Sequence, residues 1–149
     1  GFPLGACIAS GRTAASMVVG THGSTYGGNP LATAVGNAVW AEISKPEFLA
    51  HVTKVSNFLT QQFESLKDEF PDVVADVRGK GLLIGMQLKK PALNVRKMAL
   101  AKGLLAGSAG NNVLRMAPPL IIDETHVREA IGILRECFTQ ARALDDYEG

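Results

Sequence analysis

A surplus of charge of either sign is missing from this chain of 149 residues, in which 15 Lys plus Arg stand against 14 Asp plus Glu for a net charge of +1. That balance offers no electrostatic case for a nucleic acid or an anionic membrane as partner, so the partner is sought in a pocket. Cysteine is scarce. Cys7 and Cys137 are the only two, far apart in the chain, which is neither a disulfide framework nor zinc-ligand spacing, and a reducing setting is expected. Long apolar runs are lacking too: the uncharged stretch 13–41 is interrupted by Gly, Asn, His and Pro and does not read as a membrane span. No Gly-Lys-Ser or Gly-Lys-Thr closes a phosphate loop, and the dinucleotide fingerprint is absent. Repeats, low-complexity tracts, a Ser/His/Asp constellation and a metal cluster are likewise not found. What remains is 46% hydrophobic, enough for the core of one ordinary domain or of part of a larger protein. Because the chain opens on Gly1-Phe2-Pro3-Leu4-Gly5-Ala6 rather than Met, it is expected to be a piece of something longer.

The pattern along the chain predicts a mixed α/β arrangement in the order strand, loop, two helices, strand, helix, strand, helix. Ala6 to Ala9 reads as a short buried strand ended by Ser10-Gly11. A loop rich in glycine and hydroxyls follows over 20–28 and stops at Asn29-Pro30. Asn is a strong N-cap and Pro suits the first helical position, so a helix starts there. Its Leu31, Val35, Val39 and Ile43 recur every four residues and predict a buried stripe. From Pro46, apolar residues Phe48, Val52, Val55, Leu59, Phe63, Leu66 and Phe70 recur at three- and four-residue steps up to Pro71, the strongest amphipathic helix in the chain. A turn then leads to a strand in which Leu82, Ile84, Met86 and Leu88 alternate with Leu83, Gly85 and Gln87. A helix over 92–102 released by Gly103, a strand over 113–116, and a final helix capped by Asp123 complete the order. A domain boundary is expected near residues 44–46, giving segments 1–45 and 46–149, the second large enough to be a domain by itself. Cys7 and Cys137 read as small core residues.

Two places could carry chemistry. In the loop Thr21-His22-Gly23-Ser24-Thr25-Tyr26-Gly27-Gly28, glycines let backbone N–H groups approach an anion, Ser and Thr hydroxyls can donate to it, and the following helix adds its positive end. The same loop also reads as an ordinary surface connection, and His22 as a local hydrogen-bonding residue. Arg115, in the apolar Val113-Leu114-Arg115-Met116, must find a partner. Either it faces solvent or an acid, or it clamps a carboxylate with its planar pair of donors. Arg78 and Lys80, flanking Gly79, read as a solvated turn. Asp123-Glu124 and Asp145-Asp146 fit a cap and a frayed tail better than an acid/base pair.

Four segments, taken together, resemble a family. Gly1-Phe2-Pro3-Leu4-Gly5-Ala6, the stretch from Thr21 through Asn29-Pro30-Leu31-Ala32, Val77-Arg78-Gly79-Lys80-Gly81-Leu82 and Asn112-Val113-Leu114-Arg115-Met116-Ala117-Pro118-Pro119-Leu120 are similar to the C-terminal part of class III aminotransferases. These enzymes depend on pyridoxal 5'-phosphate (PLP) and have the fold type I architecture. The loop wording is closest to acetylornithine and ornithine aminotransferases. The resemblance implies that residues 1–45 end a large cofactor domain and that 46–149 form a small α+β domain. It implies a homodimer in which Thr25, with Ser24 beside it, hydrogen-bonds the cofactor phosphate of the neighbouring subunit. Arg115 would grip the α-carboxylate of the amino-acid substrate. No catalytic residue is expected within the chain, because the family's Schiff-base lysine falls a few residues before the Gly-Phe-Pro segment; the 149 residues alone are therefore expected to be inactive. The implied activity moves an amino group from an acetylornithine- or ornithine-like donor to 2-oxoglutarate in arginine metabolism, in the cytoplasm or an organellar matrix. Alternatives are another class III activity, on 4-aminobutyrate or another ω-amino acid or as an aminomutase, and a non-catalytic anion-binding or dimerisation module. Thr33 stands where Cys is expected in many relatives, and Met116 where Phe or Leu is common; both look like packing positions.

Overall fold

The computed structural model describes residues 2–145. The chain divides into two compact units, Gly1–Leu49 and Ala50–Gly149.

In the first unit Ser10 caps a single helical turn, α1 (Gly11–Ala14). The loop over 20–28 has no regular structure and ends where α2 (Pro30–Ile43) begins. Asn29 secures that start from both ends of its amide: Oδ1 accepts from the backbone N–H of Ala32 at 2.9 Å, and Nδ2 donates to the carbonyl of Tyr26 at 2.6 Å. Pro30 occupies the first helical position, as its fixed φ and missing N–H favour. Two expectations fail in this unit. Residues 6–9 form no strand, because every described strand lies beyond residue 73 and a lone extended segment has no ladder to join. The predicted stripe of α2 is not buried either: Leu31 is 64% exposed, Val39 is exposed, Val35 and Ile43 are half-buried, and only Ala32 is buried. Beside that stripe the unit supplies only Phe2, Leu4, Gly5 and Ala6, with Leu4 resting on Gly36. Cys7 is exposed for the same want of a core and is not the packed residue its small size suggests, whereas Cys137 is buried, and burial pushes its thiol pKa up.

The second unit contains most of α3 (Pro46–Glu69), then β1 (Val74–Lys80), β2 (Leu83–Leu88), α4 (Ala92–Ala101), β3 (Gly107–Ala109), β4 (Val113–Met116) and α5 (Glu124–Asp145). The strands form an antiparallel sheet in the order β1-β2-β4-β3. The apolar stripes of all three helices meet one face of that sheet in a single core, where Phe63, Leu66, Met86, Leu114, Leu134 and Phe138 are fully buried. Phe70 and Phe138 meet edge to face, with ring centroids 5.6 Å apart. The predicted stripes of α3 and α5 and the alternation of β2 therefore stand. So do the stops: α3 ends before Pro71, and Gly103 follows α4 with φ +88°, the left-handed conformation that glycine adopts without strain. Asp123 Oδ1 accepts from the backbone N–H groups of Thr125 and His126 at 2.8 and 3.2 Å; the His126 N–H, with the His126 ring beside it, lowers the Asp123 pKa. Asp146 lies outside the described residues.

The residues around Arg78 depart from expectation. Val77-Arg78-Gly79-Lys80 is strand rather than turn, paired residue for residue with β2 from Val77↔Met86 to Lys80↔Leu83. A register shift between Val74 and Asp76 breaks the alternation that would have announced β1. The edge strand β3, with Gly107-Ser108-Ala109, has almost no strand propensity of its own.

Candidate functional site

The loop before α2 presents two hydroxyls without an internal task. Ser24 and Thr25 are exposed, and among the described residues neither side chain has a hydrogen-bond partner. Neighbouring polar groups are already used: Thr21 Oγ1 donates to the carbonyl of Val18 at 2.7 Å, and both ends of the Asn29 amide are engaged in the cap. Ser24 Oγ lies over Gly27, where a Cβ would come within 2.6 Å of it. The loop thus supplies free donors next to the positive end of a 14-residue helix, an arrangement suited to a phosphate or carboxylate. His22, in the same loop, is exposed.

The second candidate is the sheet face opposite the helices. Antiparallel register places Arg78, Gly85, Arg115 and Gly107 in one row across β1, β2, β4 and β3. Residues paired in this way point to the same side of a sheet. On β4, Val113, Leu114 and Met116 are buried, but Arg115 is exposed and its side chain has no hydrogen-bond or ion-pair partner among the described residues. Its guanidinium lies across Gly107: a Cβ there would stand 3.2 Å from Nε and 3.3 Å from Nη2. Together with Arg78, Lys80, Gly85, Asn111 and Val113, Arg115 lines an open groove of about 580 Å³.

Sequence reasoning found Arg115 but missed its setting. Gly85 is distant from it in the chain and Gly107 lies across the β3–β4 turn, and strand register brings both into one row with it. The structural role of Asn112 is not among the expectations from sequence. With φ +61° it turns the chain from β3 into β4, its Oδ1 accepts from the N–H of Ala92, and its Nδ2 donates to the carbonyls of Leu88 and Lys90, each at 2.7 Å. An Asn beside Gly110 and Asn111 was a legible signal for such a turn.

A family model for class-III aminotransferases matches residues 1–138, and the chain belongs to that family. It is 48% identical over 143 residues to acetylornithine aminotransferase 2 of Caulobacter vibrioides, covering 96% of this chain and 35% of the relative. The crystal structure of acetylornithine aminotransferase from Elizabethkingia anophelis matches with a TM-score of 0.71 at 33% identity, over 81% of this chain and 33% of that one. Lysine aminotransferase from M. tuberculosis matches with a TM-score of 0.75 over 83% of this chain and 29% of that one, at 23% identity, and bears on the fold alone. The fold is accordingly the mixed α/β fold of type I aminotransferases. The chain spans about a third of the length of the curated relatives it matches. No helix among the described residues is long and apolar enough to cross a membrane.

Proposed function

We propose that the whole protein is a PLP-dependent aminotransferase that transfers the amino group of an acetylornithine- or ornithine-like donor to 2-oxoglutarate. The names of its relatives and the family match support the chemistry. The single observation that carries the role of this chain is Arg115, an unpaired guanidinium on a glycine-flanked sheet face. A planar guanidinium takes a carboxylate bidentately, with two parallel N–H···O bonds, so it can both hold and orient an amino acid. Charge-assisted bonds of that kind fix the substrate's Cα relative to the reacting centre.

The loop fits the cofactor. Unengaged hydroxyls at Ser24 and Thr25, beside a helix N-terminus, meet the demand of a phosphate monoester for donors and positive potential. In this reading Thr25, assisted by Ser24, binds the phosphate of the cofactor held by the neighbouring subunit, and the enzyme is a homodimer with shared sites. PLP, when bound, supplies the electron sink that makes the substrate Cα–H acidic. This chain's part is to hold the phosphate and the substrate carboxylate. Residues 1–45 then belong to the cofactor domain and 46–149 to the small C-terminal domain. The setting is the cytoplasm or an organellar matrix, where such metabolites meet.

The test is Arg115→Ala in the full-length protein. The expected loss in kcat/KM is about 2–5 kcal/mol for amino-acid donors, the cost of leaving a carboxylate without its partner. Amines without a carboxylate should lose far less. Equal losses for both remove the clamp, and no transaminase activity in the unaltered protein favours a non-catalytic module.

A further inference from the structure

We propose that Gly107 is a positioning residue for Arg115: by carrying no side chain, it gives the guanidinium a seat against β3 and so fixes where the substrate carboxylate is held. The inference rests on the aminotransferase reading and deepens it, because it concerns the aim of the proposed clamp. Arg115 has a glycine on each side, Gly85 on β2 and Gly107 on β3. The two places are not equivalent. The room above Gly85 is taken by Val113, whose Cγ1 lies 2.7 Å from where a Cβ would stand, and no atom of the Arg115 side chain is among the three nearest to that point. Above Gly107 the nearest atoms are Nε and Nη2 of Arg115, 3.2 and 3.3 Å from the Cβ position. The guanidinium therefore leans to β3 and rests where a side chain would otherwise be.

The backbone does not demand glycine here. Gly107 has no positive φ, in contrast to Gly103 and Gly110 on either side of β3, so its conformation is open to an L side chain. A glycine inside a strand weakens the strand and often marks the close approach of another group. Here the approaching group is Arg115. The seat matters because nothing else holds that side chain, which is long, exposed and without a hydrogen-bond or ion-pair partner among the described residues. The rotamer freedom that such a side chain loses on taking a ligand counts against affinity. A seat that limits those rotamers beforehand keeps the planar donors aimed. With a side chain at 107, the places on both sides of Arg115 are filled and the guanidinium must shift: by a few tenths of an ångström for a Cβ alone, and by more for a branched residue. The carboxylate it holds moves with it, and so does the substrate Cα relative to the reacting centre.

The experiment follows the first half-reaction of the full-length holoenzyme with ornithine by visible absorbance, under single-turnover conditions that read slow variants as well as fast ones. The proteins compared are the unaltered sequence, Gly107→Ala, Gly107→Val, Arg115→Ala and the double variant of Gly107→Val with Arg115→Ala. Gly107→Val should lower the second-order rate constant about tenfold, and Gly107→Ala about two- to threefold, since small misplacements of a reacting group are costly. In the Arg115→Ala background, Gly107→Val should change that constant by less than about twofold, because the group it displaces is gone. An equal loss in both backgrounds would assign the effect to the strand and overturn the seat, as would rates for both Gly107 variants that match the unaltered protein. If Gly107→Val does not fold, Gly107→Ala carries the same comparison in both backgrounds. If the unaltered protein does not react, or Arg115→Ala reacts as fast as it does, the underlying reading falls and this inference falls with it.

Discussion

The two units of this chain spend similar sequence patterns on opposite ends. Both contain a helix with apolar residues at three- and four-residue steps. In the second unit that stripe closes over a sheet, and Phe63 and Leu66 on α3 lose all contact with solvent. In the first, α2 has the same kind of stripe, yet Leu31 and Val39 are exposed and Trp40 is 67% exposed. Periodicity states which side of a helix is apolar; whether another element meets that side depends on residues elsewhere. The contrast extends to the polar groups. Ser24 and Thr25 sit in the unit without a core, and Arg115 sits on the one sheet face of the other unit that no helix covers.

Removing a large side chain from each unit strains this comparison most. Phe63→Ala should destabilise the chain by about 3–5 kcal/mol, since it empties a fully buried aromatic site. Trp40→Ala should cost no more than about 1 kcal/mol, since the ring is mostly exposed and lines only a shallow apolar pocket with Phe2 and Leu4. Urea unfolding of the two variants measures both, and comparable costs would erase the distinction between the units. The proposed domain limits sharpen it: residues 46–149 expressed alone should unfold in one cooperative transition, and a gradual, non-cooperative loss of structure would contradict them.

A smaller effect comes from the exposed ion pairs that fasten α5 to the start of the sheet. Arg142 donates two bonds to the Asp72 carboxylate, one of them 2.7 Å from Nε to Oδ2, and stacks over Phe70 at 4.8 Å. Those bonds lower the Asp72 pKa. A carboxyl with a lowered folded-state pKa contributes stability that is complete above its unfolded value and lost as pH falls through the folded one. Asp72→Asn should therefore cost less than about 1 kcal/mol at neutral pH, and the difference should close on acidification below the ordinary carboxylate range. A gap that persists or widens in acid would assign the effect to something other than this charge.

Much of the second unit is legible in the sequence because its signals are local or strongly periodic. Pro71 and Gly103 mark stops, Asp123 marks a start, and the stripes of α3 and α5 run for many turns. Asn29-Pro30 announces α2 equally well, since a cap is satisfied within four residues. The failures are of another kind. β1 is disguised by a bulge, β3 by its glycine and small residues, and the stripe of α2 points where the unit has little to offer. In the candidate site, the residue types at Ser24, Thr25 and Arg115 could be read directly. The glycine row around Arg115 could not, because cross-strand neighbours are set by register and not by distance along the chain.

The central claim is that the hydroxyl loop before α2 binds the cofactor phosphate. Its most direct test is PLP titration of the full-length protein, followed by visible absorbance, for the unaltered sequence and for Thr25→Val. A hydrogen bond to a charged group contributes about 1.5–3 kcal/mol, so the variant should bind PLP roughly ten- to a hundredfold more weakly and lose it on dialysis. Identical affinity and retention in the two proteins would contradict the account.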